Sequence, residues 1–259
     1  MNKSNPFFCE FLLKGVEKML HRRMFTSLCL GVFLIVFCFL YCSNARAAKV
    51  VVHSSAEYAD IALKNGRMLV AITAYSEAIR EKPTEAALYV NRARCFIESN
   101  NKELIDDALI DCDKALELQP DLSWAYVTKA DALMRIGGVL KATPLYEQAV
   151  AMEPLVAYIN YRLACAYHFV GRNKEAIAIY EKVLEMDAEY VDAYTGCGTA
   201  YRHEKNLDKA IEYYSTAIKL QPMNEYLYYN RARAYEDVGE FKLAAVDYNK
   251  GEELRKNKK

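Results

Sequence analysis

The sequence predicts an all-α protein built from about six repeated helical hairpins. Four tyrosines lie 34 residues apart within similar surroundings, namely Tyr146, Tyr180, Tyr214 and Tyr248. Related segments lie upstream, around Tyr75 and Cys112. The chain also has 20 tyrosines but only 10 glycines and 6 prolines, a composition that suits packed helices better than disorder.

Small residues recur at three places of each repeated unit. The eighth place holds Ala59, Ala93, Ala130, Ala164, Gly198 and Ala232. The twentieth holds Ala71, Ala108, Ala142, Ala176, Ala210 and Ala244, and the twenty-seventh holds Ala78, Ala115, Ala149, Val183, Ala217 and Gly251. Large residues occupy the fourth and eleventh places, among them Tyr89, Tyr126, Tyr194, Tyr228, Phe96, Leu133, Tyr167, Tyr201 and Tyr235. Alternation of small and large residues lets two helices approach closely and interdigitate.

Proline and glycine mark the ends of the helices. Four units close their second helix with a proline, at Pro83, Pro120, Pro154 and Pro222, because proline lacks the amide that would extend the helix. Four turns between the helices carry a glycine, which adopts positive φ without strain: Gly66, Gly137, Gly171 and Gly239. We expect Pro144 to fall in the first turn of its helix.

A period of 34 residues is that of the tetratricopeptide repeat, and over residues 52–258 the chain resembles that family. The resemblance implies a right-handed superhelical α-solenoid of about six helix-turn-helix repeats, preceded by one N-terminal hydrophobic helix. The units cover residues 52–85, 86–122, 123–156, 157–190, 191–224 and 225–258. The second unit is longer by a loop insertion between its helices.

The resemblance also implies that the first helices line a concave groove, which binds a protein or peptide. At the corresponding places stand Asn91, Arg94, Trp124, Tyr158, Tyr161, Arg162, Phe169, Arg202, Tyr226, Tyr229, Asn230 and Arg233. Exposed aromatic side chains interleaved with arginine are typical of protein-recognition surfaces. Alternatively, some of these rings pack between neighbouring first helices.

Chaperone-binding members of this family use a carboxylate clamp that grips a C-terminal EEVD-type tail. The clamp requires Lys and Asn in one unit, Asn in the next, and Lys and Arg in the third. The corresponding residues here are Ala56, Asp60, Asn91, Trp124 and Thr128, of which only Asn91 matches. We therefore expect the protein not to bind chaperone tails.

The N-terminal fifty residues differ from the repeats. Residues 24–42 contain no charge, and a helix of that length reaches about 28 Å, enough to cross a bilayer core. Residues 1–23 are then a basic cytoplasmic segment or result from a misassigned start, and residues 43–51 form a linker. Two hypotheses remain open: a transmembrane anchor with the repeats on the non-cytoplasmic side, or a signal peptide cleaved near Ala47 to give a periplasmic or secreted protein. A third alternative is a buried core helix.

Composition excludes several functions. The chain has 34 basic and 34 acidic side chains, so it lacks the positive excess that drives nucleic-acid binding. It contains no nucleotide-binding, hydrolase or paired-histidine zinc motif, and we expect neither a cofactor nor enzymatic activity. Acidic residues on the amphipathic helices are interpreted as solvated charge, including Asp106, Asp107, Asp111 and Asp113.

Cysteine and histidine suggest one weak metal site. Cys165, His168 and His203 fall near one another by repeat position, and these are residue types that bind transition metals. The four cysteines of the repeats are Cys95, Cys112, Cys165 and Cys197. They could pair in an exported protein, but we favour four small buried side chains.

The leading hypothesis is thus a non-catalytic interaction scaffold, anchored to or exported across a membrane, that binds a peptide or protein in its groove. One alternative is an accessory protein that handles a metal or ligand through Cys165, His168 and His203. Another is a non-catalytic subunit of an envelope assembly or secretion complex. Since only a short tail follows the sixth unit, with Leu243 and Val246 near its outer face, we expect some self-association there.

Overall fold

The computed structural model describes residues 54–257, which form twelve α-helices joined by short turns, with no strand in that range. The helices are α1 (Ser55–Lys64), α2 (Met68–Glu81), α3 (Ala86–Glu98), α4 (Ile105–Leu118), α5 (Ser123–Arg135), α6 (Val139–Met152), α7 (Ala157–Phe169), α8 (Asn173–Met186), α9 (Val191–His203), α10 (Leu207–Leu220), α11 (Glu225–Val238) and α12 (Phe241–Asn257). A one-turn 3-10 helix, Lys102–Leu104, lies within the insertion of the second unit.

The predicted N-terminal segments, residues 1–23, 24–42 and 43–51, lie outside the described residues. Among residues 54–257, none of the helices combines the length and the apolar character needed to cross a bilayer. The anchor and signal-peptide hypotheses therefore still rest on the sequence alone.

Consecutive helices pair as hairpins and the hairpins stack. Each odd-numbered helix packs against the even-numbered helix that follows it, which in turn packs against the first helix of the next hairpin. The first helices also meet one another, since α3 contacts α5, α7 contacts α9 and α9 contacts α11. The result is an all-helical solenoid, as the sequence predicted, with the first helices along one wall.

The small residues lie where the helices cross, which confirms the central prediction of the sequence. The alanines of the twentieth place are all buried, and Ala142, Ala176 and Ala210 have no exposed surface. At the eighth place the unit-five residue is Gly198, where an added Cβ would stand 2.7 Å from the ring of Tyr214. Close approach of the two helices therefore depends on the small size of these residues.

A left-handed residue ends the first helix of every hairpin. Glycine has positive φ at Gly66, Gly137, Gly171 and Gly239, as predicted. In units two and five the same place is taken by Asn100, at φ 57°, and Lys205, at φ 62°. Asparagine adopts this conformation readily, whereas lysine does so at a cost in backbone strain. A residue with positive φ thus follows the first helix in all six units, although only four carry glycine there.

The tyrosines of the fourth place do more than fill space. The hydroxyls of Tyr89 and Tyr228 donate to the carbonyl oxygens of Pro83 and Pro222, both at 3.0 Å. Tyr126 makes the same bond to Pro120 at 3.1 Å. In unit four Asn160 replaces the tyrosine, and its Nδ2 donates to the carbonyl oxygen of Pro154 at 3.1 Å. In these four units the bond ties the first helix to the turn that precedes it.

Asp111 corrects one interpretation of the sequence, which treated it as solvated charge. Its residue surface is only 3% exposed, and its two oxygens accept from Arg92 Nε at 2.8 Å and Nη2 at 2.7 Å. Arg92 Nη1 also donates to Ser76 Oγ of the preceding unit at 3.0 Å. Arg231, Asp247 and Ser215 repeat this arrangement in unit six. A buried aspartate on the inner face of the second helix thus helps to join neighbouring hairpins.

The prediction that Pro144 lies in the first turn of its helix was also wrong. This proline is the sixth residue of α6, beyond the first turn, so the amide that would bond to the carbonyl of Leu140 is missing. Pro144 lies on the exposed side of the helix, where water can replace the lost hydrogen bond.

The outer face of the last hairpin carries apolar side chains. Phe241, Leu243 and Val246 on α12 are all exposed. Self-association through this face stays a prediction.

We expect Asp111→Ala to lower the free energy of unfolding by about 2–4 kcal/mol, because it leaves the half-buried guanidinium of Arg92 without its carboxylate. Urea denaturation followed by far-UV circular dichroism measures the effect. The matched control is Asp113→Ala on the same helix, which removes an exposed ion pair with Lys129 and should cost less than about 1 kcal/mol. Equal losses in the two variants would contradict the role assigned to Asp111.

Candidate peptide-binding groove

A groove of about 900 Å³ runs along the first helices of units two, three and four, α3, α5 and α7. Its size lies within the range of small-ligand sites, about 300–1,000 Å³. Apolar side chains of α3 and α5 form much of the lining: Val90, Ile97, Val127 and Met134. The groove is therefore large enough for a few residues of a bound chain.

Six of the twelve residues predicted for the groove line it. These are Asn91, Arg94, Trp124, Tyr158, Arg162 and Phe169. The other six lie on neighbouring parts of the first helices and do not line this groove: Tyr161, Arg202, Tyr226, Tyr229, Asn230 and Arg233. Binding through any of the twelve stays a prediction, but the structure brings the first six together.

The six residues outside the groove have different surroundings. Tyr161 is half-buried against the rings of Tyr180, on the second helix α8, and Tyr190, in the turn before α9. Tyr229 is half-buried and donates from its hydroxyl to Glu252 Oε1 at 3.1 Å. Arg202 is half-buried, with Nε 3.5 Å from a carboxylate oxygen of Asp237. Asn230 is also half-buried, whereas Tyr226 and Arg233 are exposed.

Two aromatic rings form a flat, accessible surface in the groove. Trp124 and Tyr158 stack with their centroids 5.8 Å apart and their planes 19° from parallel. Both residues bury most of their surface but remain 37% and 39% exposed. Phe169, at the C-terminal end of α7, is 69% exposed. The groove therefore holds apolar surface that no described residue covers.

Two of the groove's three arginines are held by other residues. Arg162 Nε donates to Asp131 Oδ1 at 2.9 Å, and the same carboxylate accepts from the hydroxyl of Tyr146. Burial is the largest single influence and lowers the pKa of Arg162, but Asp131 and Tyr146 act with Tyr158 to raise it more, so the net shift is upward. Arg135 donates to the carbonyl oxygen of Ile97 at 3.3 Å and to the side chain of Asn100. These two guanidinium groups are thus fixed within the wall of the groove.

Asp131 is a groove residue that sequence reasoning missed. It occupies the ninth place of unit three and faces the tyrosine of the twenty-fourth place, Tyr146. The same pair recurs as Asp60 with Tyr75, Cys165 with Tyr180 and Thr199 with Tyr214. A polar residue at the ninth place with tyrosine fifteen residues later is the signal that could have found it. Burial raises the pKa of Tyr146, and the nearby Asp131 carboxylate raises it further, so the phenol stays protonated and donates.

Arg94 and Asn91 are free polar groups of the groove, as is Glu98 farther along the same helix. Both lie on α3, one turn apart, and both line the groove. Among residues 54–257, neither side chain forms a hydrogen bond or an ion pair, and Arg94 is exposed. Asn91 can both donate and accept, whereas Arg94 only donates.

The three-ligand metal site raised by the sequence does not form. Cys165 Sγ accepts from the Tyr180 hydroxyl at 3.3 Å, toward the second helix. His168 Nδ1 lies 2.8 Å from Asn173 Oδ1, and its ring centroid is 5.1 Å from that of His203. Within the part of the chain that the structure describes, no three potential metal ligands cluster. Proximity by repeat position was misleading, because Cys165 contacts Tyr180 whereas the ring of His168 lies beside Asn173 and His203.

The four cysteines of the repeats are free thiols, and all but the half-buried Cys165 are fully buried. This agrees with the interpretation as small packed side chains. Burial raises the pKa of all four thiols, that of Cys95 to about 12. Since the thiolate is the reactive form, these residues are protonated and unreactive at neutral pH.

Family models match the chain along the solenoid. Three models, each described as tetratricopeptide repeat, match residues 191–224, residues 157–190, and residues 57–123 together with 208–255. They leave unmatched the residues before 57, residues 124–156, which are nearly all of unit three, and the residues after 255.

Curated relatives share the repeats over part of their own length. Tetratricopeptide repeat protein 6 of Homo sapiens is 24% identical over 195 residues, which is 62% of this chain and 38% of that protein. Hsp70-Hsp90 organizing protein 2 of Arabidopsis thaliana is 29% identical over 209 residues, which is 76% of this chain and 35% of that protein. The chain thus spans little more than a third of the length of these two relatives.

Solved structures show the same fold. A tetratricopeptide repeat protein from Parabacteroides merdae superposes with a TM-score of 0.62 at 21% identity, covering 74% of this chain and 75% of that one. YrrB, described as a TPR protein with an unusual peptide-binding site, gives 0.56 at 21% identity, with 70% and 91% covered. With its repeat period, its stacked hairpins and these matches, the chain belongs to the tetratricopeptide repeat family.

Proposed function

We propose that this protein is a non-catalytic scaffold that binds a peptide segment of another protein in the groove along α3, α5 and α7. The observation that carries the proposal is the stacked pair of Trp124 and Tyr158, which remains exposed. Uncovered aromatic surface inside a concavity gains free energy when a partner buries it. Large apolar side chains elsewhere on the solenoid are also exposed, such as Leu140 and Phe241, but this pair lines the concavity itself.

The residues around the aromatic pair favour binding over chemistry. Of the two carboxylates in the lining of the groove, Asp131 is held by Arg162 and Tyr146, whereas Glu98 is exposed. Cys165 is a protonated thiol on the core side. Relatives named for organizing Hsp70 and Hsp90 also support a role in bringing proteins together.

Photo-crosslinking tests the proposal in cells that express the protein. A photoreactive phenylalanine analogue replaces Tyr158 in the groove, and in a control chain it replaces Leu140, which is 81% exposed on α6. We expect discrete crosslinked partners from position 158 that are absent at position 140. Identical products from both positions, or none from position 158, would place the binding surface elsewhere.

We further propose that the groove does not take EEVD-type chaperone tails. Asp60 stands where the clamp needs asparagine, and as a carboxylate it repels a terminal carboxylate. Thr128 is buried and donates to its own helix, at the carbonyl oxygen of Trp124, over 2.7 Å. An EEVD pentapeptide should therefore show no binding by calorimetry at about 100 μM, and a micromolar complex would refute this.

We propose, from the uncharged segment 24–42, that the repeats are tethered to a membrane or exported across it. Alkaline extraction of membranes tests the anchor, because an integral protein stays in the pellet and a peripheral one is released. N-terminal sequencing of the mature chain distinguishes cleavage near Ala47 from retention. A full-length chain released from the membrane would exclude both alternatives.

A further inference from the structure

The groove carries one positive charge in excess. Its lining holds three arginines against two carboxylates, Glu98 and Asp131. Arg162 is paired with Asp131 and Arg135 is held by α3 and the turn after it. Arg94 forms no ion pair, even with Glu98 one turn along the same helix. A guanidinium that is free inside a concavity is poised for a carboxylate, which it binds with two hydrogen bonds.

Arg94 and the aromatic pair flank the same groove from successive first helices. Arg94 lies on α3, Trp124 on α5 and Tyr158 on α7. Burial raises the pKa of Tyr158, and the charges of Asp131, Arg162 and Arg94 also act on its phenol, so this tyrosine lies within electrostatic reach of the arginine. Packed helices are about 8–10 Å apart, which an extended chain covers in about three residues.

We infer that the occupant of this groove is an extended peptide with an acidic side chain on Arg94 and an aromatic side chain about three residues away on Trp124 and Tyr158. Asn91, one turn before Arg94, bonds to the peptide backbone through its free amide. The inference rests on the proposed function and adds the chemistry of the ligand. It differs from recognition of a chain terminus, because the carboxylate belongs to a side chain within the segment.

Fluorescence anisotropy with defined peptides tests the inference on the full-length chain in detergent. The probe is a labelled, C-terminally amidated nonapeptide of glycine and serine that carries Glu and, three residues later, Phe. Matched peptides replace Glu with Lys, replace Phe with Ala, or move the acid to a free C-terminus. We expect the Glu–Phe peptide to bind at least about tenfold more tightly than the Lys peptide or the Ala peptide, as for one charge-assisted bond or one aromatic anchor.

Two protein variants test whether Arg94 binds the acidic side chain of the peptide and Trp124 its aromatic side chain. Arg94→Glu should reverse the preference so that the Lys peptide binds more tightly, and Trp124→Ala should remove the preference for Phe over Ala. The control is Arg80→Gln, which alters an exposed arginine on α2 and should bind as the unaltered protein does.

Three outcomes would overturn the inference: no difference between the Glu and Lys peptides, stronger binding of the terminal carboxylate, or no binding of any peptide at about 1 mM. Crosslinking from position 158 distinguishes failure of this inference about the ligand from failure of the proposed function. If that position captures partners while the peptide preferences are absent, the groove is used but its ligand has another chemistry.

Discussion

Close approach of paired helices is the constraint on which the rest of this structure depends. Alanine or glycine at the eighth and twentieth places leaves no exposed surface at the crossings, and at Gly198 not even a Cβ fits beside the ring of Tyr214. Hairpins that nest this tightly bury their apolar faces against each other, which no single hairpin can do alone. The wall of first helices, and therefore the groove, is a consequence of that stacking.

Polar residues then connect the core to the groove. A tyrosine from each of several second helices crosses to the ninth place of the first helix, as Tyr146 does to Asp131. That carboxylate also holds Arg162, so part of the groove wall is positioned by side chains whose other contacts are inside the solenoid. Rigid support of this kind lowers the entropy lost on binding, since the wall is already ordered. Arg94 and Trp124 are the exceptions, being left accessible.

Repeat period, helix order, left-handed turns and the burial of the small residues were all predictable, because each follows from a local rule repeated in phase. The groove was only half predictable. From repeat position we predicted that Asn91, Arg94 and Tyr158 share one surface, and all three line the groove. Tyr161 was predicted on the same surface but packs against the ring of Tyr180 instead. Repeat position also suggested a metal site at Cys165 that does not form. A position within a repeat specifies a face of a helix, but neighbouring rings compete for the space beside it.

The sequence by itself determined the architecture, since small residues at a 34-residue period permit only stacked hairpins. It also determined that the repeats lack the residues of a chaperone-tail clamp. Only the tertiary structure decided which charged side chains form ion pairs within the fold and which remain unpaired. Asp111, which resembles Asp113 in the sequence, is buried against Arg92, whereas Arg94 finds no partner. That difference arises because two side chains pair only when their helices lie close enough together. A local sequence pattern does not give the distance between helices.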